Sequence, residues 1–326
     1  MHKSSVGLEG VRIINISNPR RPRQVGFVQT DCGSHTHTLA PSGRKLFIYV
    51  ESYPLGVPSG TCSAISHRKI SVIEVDKDDP TKSDVVSTAD VSPSIGCHDV
   101  TVFPKKDLAA AACISENQIW DIKDRKNPKV VAHVPLPSGM QIAHSSAFTW
   151  DGKKVIFSDE YAGAAGGGGC TGDEDSPVGA MFFYDISEDP SSPVLEGHHS
   201  LPRVPPFEED ESRTFRCTTH NYNILPYKDD KKYVAVSSYY MGGLSAVDFS
   251  KPEDAKEIGF YMPLKGGLLP DMWSAYWYNG RIYTNEHESA KGVSVFKMKQ
   301  TGRKRVHFFK GRLNPQTQIP RFKTSK

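Results

Sequence analysis

Four histidines occupy one register of a recurring phrase. His35, His98, His144 and His220 each lie six residues before a hairpin landmark, at Pro41, Pro104, Trp150 and Pro226. The fifth equivalent, counted back from Tyr278, is Met272. Twelve histidines scattered through 326 residues rarely place four in one register, and imidazole has no packing reason to prefer an inner strand. His35 stands 16 residues before Glu51, His98 18 before Glu116, His144 16 before Glu160, His220 18 before Ser238 and Met272 14 before Glu286. These offsets differ by even numbers, so each pair keeps its pleat parity and is expected on one face of its hairpin. A carboxylate bonded to the far nitrogen of an imidazole fixes its tautomer and raises its basicity, which is the usual support of a histidine-ligated metal. The pattern predicts His35, His98, His144 and His220 as metal ligands, with Glu51, Glu116, Glu160 and Glu286 as the carboxylates acting behind them. All-nitrogen ligation favours Fe(II) or Cu(II), with Zn or Ni as the other candidates. The alternative is a set of histidines bonded to water and glutamate with no ion.

The elements that must hold such a ring are legible as repeats. A β-rich phrase closed by an acidic or amide residue recurs as Val11–Ile16, Ile70–Val75, Gln118–Ile122, Phe182–Ile186, Leu244–Phe249 and a degenerate copy at Val293–Lys297. Intervals between equivalent positions run 59, 47, 64, 63 and 49 residues, which fits one four-stranded propeller blade plus loops. Between copies lies a hairpin, turned at Ser42-Gly43, Asp151-Gly152 or Asn279-Gly280, dipeptides that tolerate the positive φ of tight hairpin turns. Helical periodicity is absent. The reading is all-β: a single β-propeller of four-stranded antiparallel blades with six blade positions. The first, over 11–29, supplies only its third and fourth strands. Complete blades are expected at 35–90, 98–135, 144–201, 220–262 and 272–310, and a basic tail over 311–326. In a propeller the first strand of each blade lines the channel, so equivalent positions form a ring around one axis.

At this point the residues resemble the LVIVD-repeat β-propeller proteins, a bacterial family. The likeness runs through GVRIINISNP, CHDVTVFP, HSSAFTWDGKKVIFSDE, SYYMGGLSAVDFSKP and MWSAYWYNGRIYTNE. It implies the propeller fold, and it implies export, since members are commonly secreted and longer at the N-terminus. The missing first hairpin departs from their pattern. The resemblance implies no activity. In outline, a four-histidine ring backed by glutamates is similar to the iron site of carotenoid-cleaving oxygenases, an analogy of geometry and not of sequence.

Composition narrows the partners. With 40 basic and 37 acidic side chains the net charge is +3, its excess concentrated in the tail, so no nucleic-acid partner is expected. The longest apolar run is the seven residues Leu108–Ile114, so no membrane span is expected. Six cysteines without CxxC spacing permit disulfides; Cys62 with Cys97 and Cys170 with Cys217 are the expected pairs, Cys32 and Cys113 being unplaced. No export signal stands in the chain, yet the cysteines point to an extracellular or periplasmic protein. His37 reads as a core histidine or a fifth channel residue. Asp99, Tyr161, Asn221, Tyr239, Trp273 and Tyr276 sit beside the ring. Gly166–Gly169 lacks the lysine of a phosphate loop, and the acidic Asp173–Asp175 lacks the alternation of a calcium loop. The functional expectation is a monomeric metal-dependent enzyme, redox or oxygen-using, acting on a small molecule or glycan. The alternative is a non-catalytic propeller that binds a protein or glycan through its loops.

Overall fold

The computed structural model describes residues 9–53, 66–160, 177–203, 216–262, 270–286, 292–299, 301–302 and 304–323. They form six antiparallel sheets. The first holds β1 (Gly10–Asn15) and β2 (Arg23–Gln29); the second holds β3 (Thr36–Ser42), β4 (Lys45–Glu51), β5 (Lys69–Val75) and β6 (Asp84–Asp90). The third runs β7 (Asp99–Phe103), β8 (Leu108–Cys113), β9 (Glu116–Asp121) and β10 (Lys129–Pro135). The fourth runs β11 (Ala143–Phe148), β12 (Lys154–Asp159), β13 (Met181–Asp185) and β14 (Val194–His199). The fifth holds β15 (Tyr222–Ile224), β16 (Val234–Ser238), β17 (Leu244–Asp248) and β18 (Lys256–Tyr261), and the sixth β19 (Met272–Tyr278), β20 (Arg281–Glu286) and β21 (Val293–Phe296). This is a β-propeller of four-stranded blades, with two strands in the N-terminal blade among the described residues. The sixth sheet has three strands among the described residues, one fewer than the sequence suggested. No helix among them is long and apolar enough to cross a membrane.

The repeated phrase has a local cause. Its acidic or amide residue accepts the backbone N–H two positions on: Ser17 to Asn15, Lys123 to Asp121, Ser187 to Asp185 and Ser250 to Asp248. Such a side-chain bond turns the chain out of the third strand. Bulges between third and fourth strands recur at Ile13/Ile14, Val72/Ile73, Phe183/Tyr184 and Ala246/Val247, bending the outer edge of each blade.

Apolar clusters fill the gaps between neighbouring sheets. Tyr49 and Trp120 pack between the second and third, Phe103 and Phe148 between the third and fourth, and Trp277 between the fifth and sixth. Phe183 and Phe249 stack at 4.6 Å between the fourth and fifth. Inner strands such as β7, β8, β11 and β12 are buried on both faces, whereas the outer strand β10 alternates exposed with buried. Hydroxyls tie one inner strand to the next: Thr38 donates to the Val100 carbonyl and Thr101 to that of Ser146, both at 2.7 Å.

Residues 304–323 are not a loose basic tail. Val306 bridges Tyr227 beside the fifth sheet, and Phe322 packs on Trp150 and Phe309. The chain then lays Thr317 parallel to Val102 of β7, with Thr317 donating to the Leu39 carbonyl of β3 at 2.7 Å. Gln318 is fully buried, accepts from the Phe148 N–H at 2.7 Å and donates to the Phe148 carbonyl at 2.9 Å. The segment thus ties the inner strands of three blades. Gln318→Ala leaves both Phe148 groups buried without partners and should cost about 2 kcal/mol, read from urea unfolding midpoints; a change under about 0.5 kcal/mol would mean that this tie adds no stability.

Candidate metal centre

Bulges aim the ring residues. His35 N–H and Thr36 both engage Glu51, and His98 N–H and Asp99 both engage Ala112, so an extra residue opens each inner strand. In the fourth sheet the register skips His144, between Ala143 and Ser145. In the sixth it skips Trp273, between Met272 and Ser274. A bulged residue leaves the ladder and re-aims its side chain, here toward the axis. The fifth ring position is therefore Trp273, and Met272 is a fully buried core residue between the fifth and sixth sheets. Counting back from the hairpin turn missed by one because the sixth hairpin is a residue shorter between bulge and turn: its strands pair up to Tyr278 and Arg281, whereas those of the fourth sheet part at Phe148 and Val155.

The rings form a row. Centroids of His35 and His98 are 4.3 Å apart, those of His98 and His144 3.9 Å, those of His144 and His220 4.3 Å, and those of His220 and Trp273 4.1 Å. Tyr53 lies against His35 at the other end, at 4.7 Å. His98, His144 and His220 are buried, whereas His35 is exposed. The four do not meet at one point. His98, His144 and Glu160 bring three ligand atoms within 4.8 Å of one another. His35 Nε2 lies 2.8 Å from His98 Nε2, a separation at which the two share one proton or both address one ion.

Glu160 faces the ring directly. Its Oε2 stands 3.6 Å from His144 Nε2 and its Oε1 3.9 Å from His220 Nε2. Donors of a tetrahedral ion bonded at about 2.0 to 2.2 Å stand roughly 3.4 Å apart, close to the first of these. Tyr240 donates its phenolic hydrogen to Oε1. Glu160 thus stands within the candidate ligand group itself, where a supporting role was expected.

Other groups orient the imidazoles. Ser145 Oγ donates to Asn221 Oδ1 at 3.1 Å, which leaves it to accept from His144 Nδ1 at 2.7 Å. His220 Nδ1 donates to the Trp273 carbonyl at 2.5 Å. Both bonds fix the proton on Nδ1 and turn the Nε2 lone pairs of His144 and His220 toward Glu160. His144 Nε2 and His98 Nδ1 are buried without a hydrogen-bond partner, which is costly unless something binds there. Burial, reinforced by the neighbouring imidazoles, holds His98 and His144 well below the usual histidine range, so both are neutral as ligands must be. Burial raises Glu160 to about 7, against the pull of the Tyr240 hydroxyl and Arg216. The donor set fits a divalent transition ion: neutral imidazole nitrogens, one carboxylate, and orphaned buried lone pairs.

The other predicted carboxylates stand elsewhere. Glu51 is fully buried, accepts from Thr36 Oγ1 at 3.2 Å, and is raised well above the carboxylate range by burial and then by Asp99. It does not bond His35 through its side chain. Glu116 lies past a tight turn at Ile114, φ 54°, and so belongs to the third strand of its blade. There it accepts from His133 Nδ1 at 3.0 Å and from Gln118, out of line with His98. Glu286 ends β20 opposite Met272, which leaves the ring with the core. Of the residues read beside the ring, Asn221 and Trp273 orient histidines, while buried Asp99 accepts from Gln316 at 2.6 Å. Tyr276, half-buried on β19, lies beside Gln316 in a cleft of about 630 Å³. Tyr239 is fully buried in the turn beside Tyr240, and Tyr161 lies outside the described residues. His37 is exposed on β3 and meets Ser34 Oγ at 3.3 Å, so it is not a core residue. Gly166–Gly169 and Asp173–Asp175 also lie outside the described residues. Tyr53 and Tyr240 were missed; nothing in their spacing marks them.

One of the two expected cysteine pairs is overturned. Cys97 bonds Cys113, across the inner hairpin that carries His98, which excludes a Cys62–Cys97 bridge. Cys32, left unplaced, and Cys217 are also disulfide-bonded; Cys170, the expected partner of Cys217, and Cys62 lie outside the described residues. A second group, Asp31, Cys32 and His67, has metal-like spacing, but the disulfide at Cys32 removes its thiolate.

No family model and no curated protein matches the chain. Among solved structures it is similar to a Bacteroides fragilis protein provisionally assigned as a 6-phosphogluconolactonase, at TM-score 0.61 and 13% identity over 92% of this chain and 77% of that one. A functionally unknown protein from Desulfotomaculum acetoxidans follows at TM-score 0.54 and 14% identity over 90% and 75% of the two chains. Hydrazine synthase from Kuenenia stuttgartiensis gives TM-score 0.53 and 11% identity over 85% and 68%. At these identities the likeness concerns the fold. Fold and site together define a β-propeller with a histidine–carboxylate cluster at one end of its inner strands.

Proposed function

We propose that this protein is a metal-dependent enzyme, an oxygen-using oxidoreductase acting on a small molecule or glycan. Its ion is bound by His98, His144 and Glu160, with His35 and His220 at the flanks. The observation that carries this reading is the convergence of two neutral imidazoles and one buried carboxylate, two of whose imidazole nitrogens have no partner. Two histidines and one carboxylate with positions left open are the ligand set of non-haem Fe(II) oxygenases. A bound Fe(II) or Cu(II) supplies the one-electron chemistry that these side chains lack. The chain's own residues do the rest: Ser145, Asn221 and the Trp273 carbonyl fix the tautomers, and burial keeps the imidazoles neutral. The aromatic faces of Tyr53 and Trp273 bound the row of rings at either end. Exposed His35 marks the side from which substrate would enter. The fold neighbour assigned to lactone hydrolysis shares the scaffold at 13% identity and lends no support to hydrolysis here.

The chain further belongs, in this reading, to the LVIVD-repeat propellers, and the disulfides at Cys97–Cys113, Cys32 and Cys217 support an extracellular or periplasmic setting. The test is metal analysis of protein purified without a histidine tag, then reconstituted anaerobically with Fe(II). About one ion per chain, with oxygen uptake on addition of substrate candidates, is the expected result. Less than roughly 0.2 ion per chain after reconstitution would favour a non-catalytic binding propeller.

A further inference from the structure

We propose that Tyr240 is the positioning residue of this centre: its phenol holds Oε1 of Glu160 and so leaves Oε2 to the ion. The inference rests on the metal reading above. Tyr240 has a left-handed backbone, φ 47°. Glycine or asparagine adopts that conformation readily, whereas a large side chain suffers a clash, and such outliers concentrate where function requires them. The turn is tightly built. Tyr239 N–H donates to the Gly243 carbonyl at 2.8 Å and Gly243 N–H to the Tyr240 carbonyl at 3.0 Å. Reciprocal backbone bonds of 3.0 Å with Met272 tie Tyr240 to the sixth sheet.

The strained turn puts a fully buried phenol where it crosses from the fifth blade to Glu160 at the end of β12 in the fourth. Its ring lies 5.0 Å from that of His220 and 5.7 Å from that of Trp273, with the Arg216 guanidinium 4.6 Å above it. These contacts leave the hydroxyl little room to turn away. With Oε1 accepting from Tyr240, the carboxylate cannot rotate to chelate through both oxygens, and Oε2, 3.6 Å from His144 Nε2, is the oxygen presented. The phenol thereby selects a one-oxygen carboxylate ligand.

Cobalt(II), whose visible absorption reports coordination number, is the probe, titrated into the full chain with and without Tyr240→Phe. Phenylalanine keeps the ring, the turn and the guanidinium stacking, and removes only the donor. The expected result is a Kd for Co(II) raised about 10- to 100-fold, with the absorption bands shifted and weakened as the freed carboxylate binds through both oxygens. In a Glu160→Gln background, Tyr240→Phe should add no further loss, because the partner it positions is gone. If wild-type protein fails to bind Co(II), the metal reading itself falls and Tyr240 with it. If wild type binds and Tyr240→Phe matches it in Kd and spectrum, the positioning role is refuted while the metal centre stands. An equal loss in the Glu160→Gln background would make the effect one of packing, which also refutes it.

Discussion

Replacing His144 with alanine should bring bound metal down to background, with a loss of affinity beyond the 10- to 100-fold or so that a supporting residue costs. His144 is the middle of the site. It is 1% exposed, its ring lies between those of His98 and His220, and its Nε2 is the nearest imidazole nitrogen to Glu160 at 3.6 Å. Without it the compact group keeps only His98 and Glu160, and His35 and His220 flank opposite sides of the gap, too few convergent donors to hold an ion against a chelating buffer. The blades should survive, because they are held by their own ladders and by aromatic clusters outside the ring, so the circular dichroism should keep its β form. Glu116→Gln is the matched control. Sequence spacing gave Glu116 the same standing as Glu160, yet it serves His133 and Gln118 on the outer part of its blade, so its loss should leave metal content unchanged. Elemental analysis of the two variants side by side reads the difference. Full occupancy in His144→Ala would remove it from the ligand set, and loss in Glu116→Gln would contradict the placement of that carboxylate.

The contrast between those two glutamates shows what a sequence of this kind discloses. The propeller was legible because its signals are local and repeated: an acceptor side chain two residues before a turn, hairpin dipeptides and a period of one blade. The four histidines were legible because equivalent strands share a register. What register cannot show is how tightly a hairpin closes or where a turn passes the chain to the next strand. The tighter hairpin of the sixth sheet, paired up to Tyr278 and Arg281, moved the fifth ring position by one, and the left-handed turn at Ile114 carried Glu116 onto the next strand outward. Pleat parity held the argument only while both partners stayed on one hairpin. The orienting groups escaped for another reason. A serine hydroxyl, an asparagine amide and a backbone carbonyl are common everywhere in a chain, and only their position around His144 and His220 gives them a role. Tyr240 contradicts local propensity, since a tyrosine in a left-handed turn is not anticipated from its neighbours.

The cysteines carry the other large effect, on stability. Cys97 and Cys113 are fully buried, and their bond closes a loop of 16 residues across the inner hairpin of the third blade. Cross-linking a loop of that length restricts the unfolded chain by about 3 kcal/mol. The hairpin also presents His98, whose N–H donates to the Ala112 carbonyl at 2.8 Å directly beside the bridge. Cys97→Ala with Cys113→Ala should therefore lower unfolding stability by about 3 kcal/mol. Alanine is the right replacement, because serine would bury two hydroxyls and add its own penalty. The urea midpoint reports the loss, and reductant should move the wild-type midpoint the same way while leaving the double variant less affected, since its remaining disulfides are those at Cys32 and Cys217. Metal affinity should fall with stability, because the bulge that aims His98 lies between the two cysteines in the folded hairpin. A double variant as stable as wild type would mean that the cysteines stand as thiols in the native protein, and the argument for an oxidising compartment would lose its best support. A variant that is less stable yet binds metal unchanged would show instead that the ladder of β7 and β8 alone suffices to aim His98.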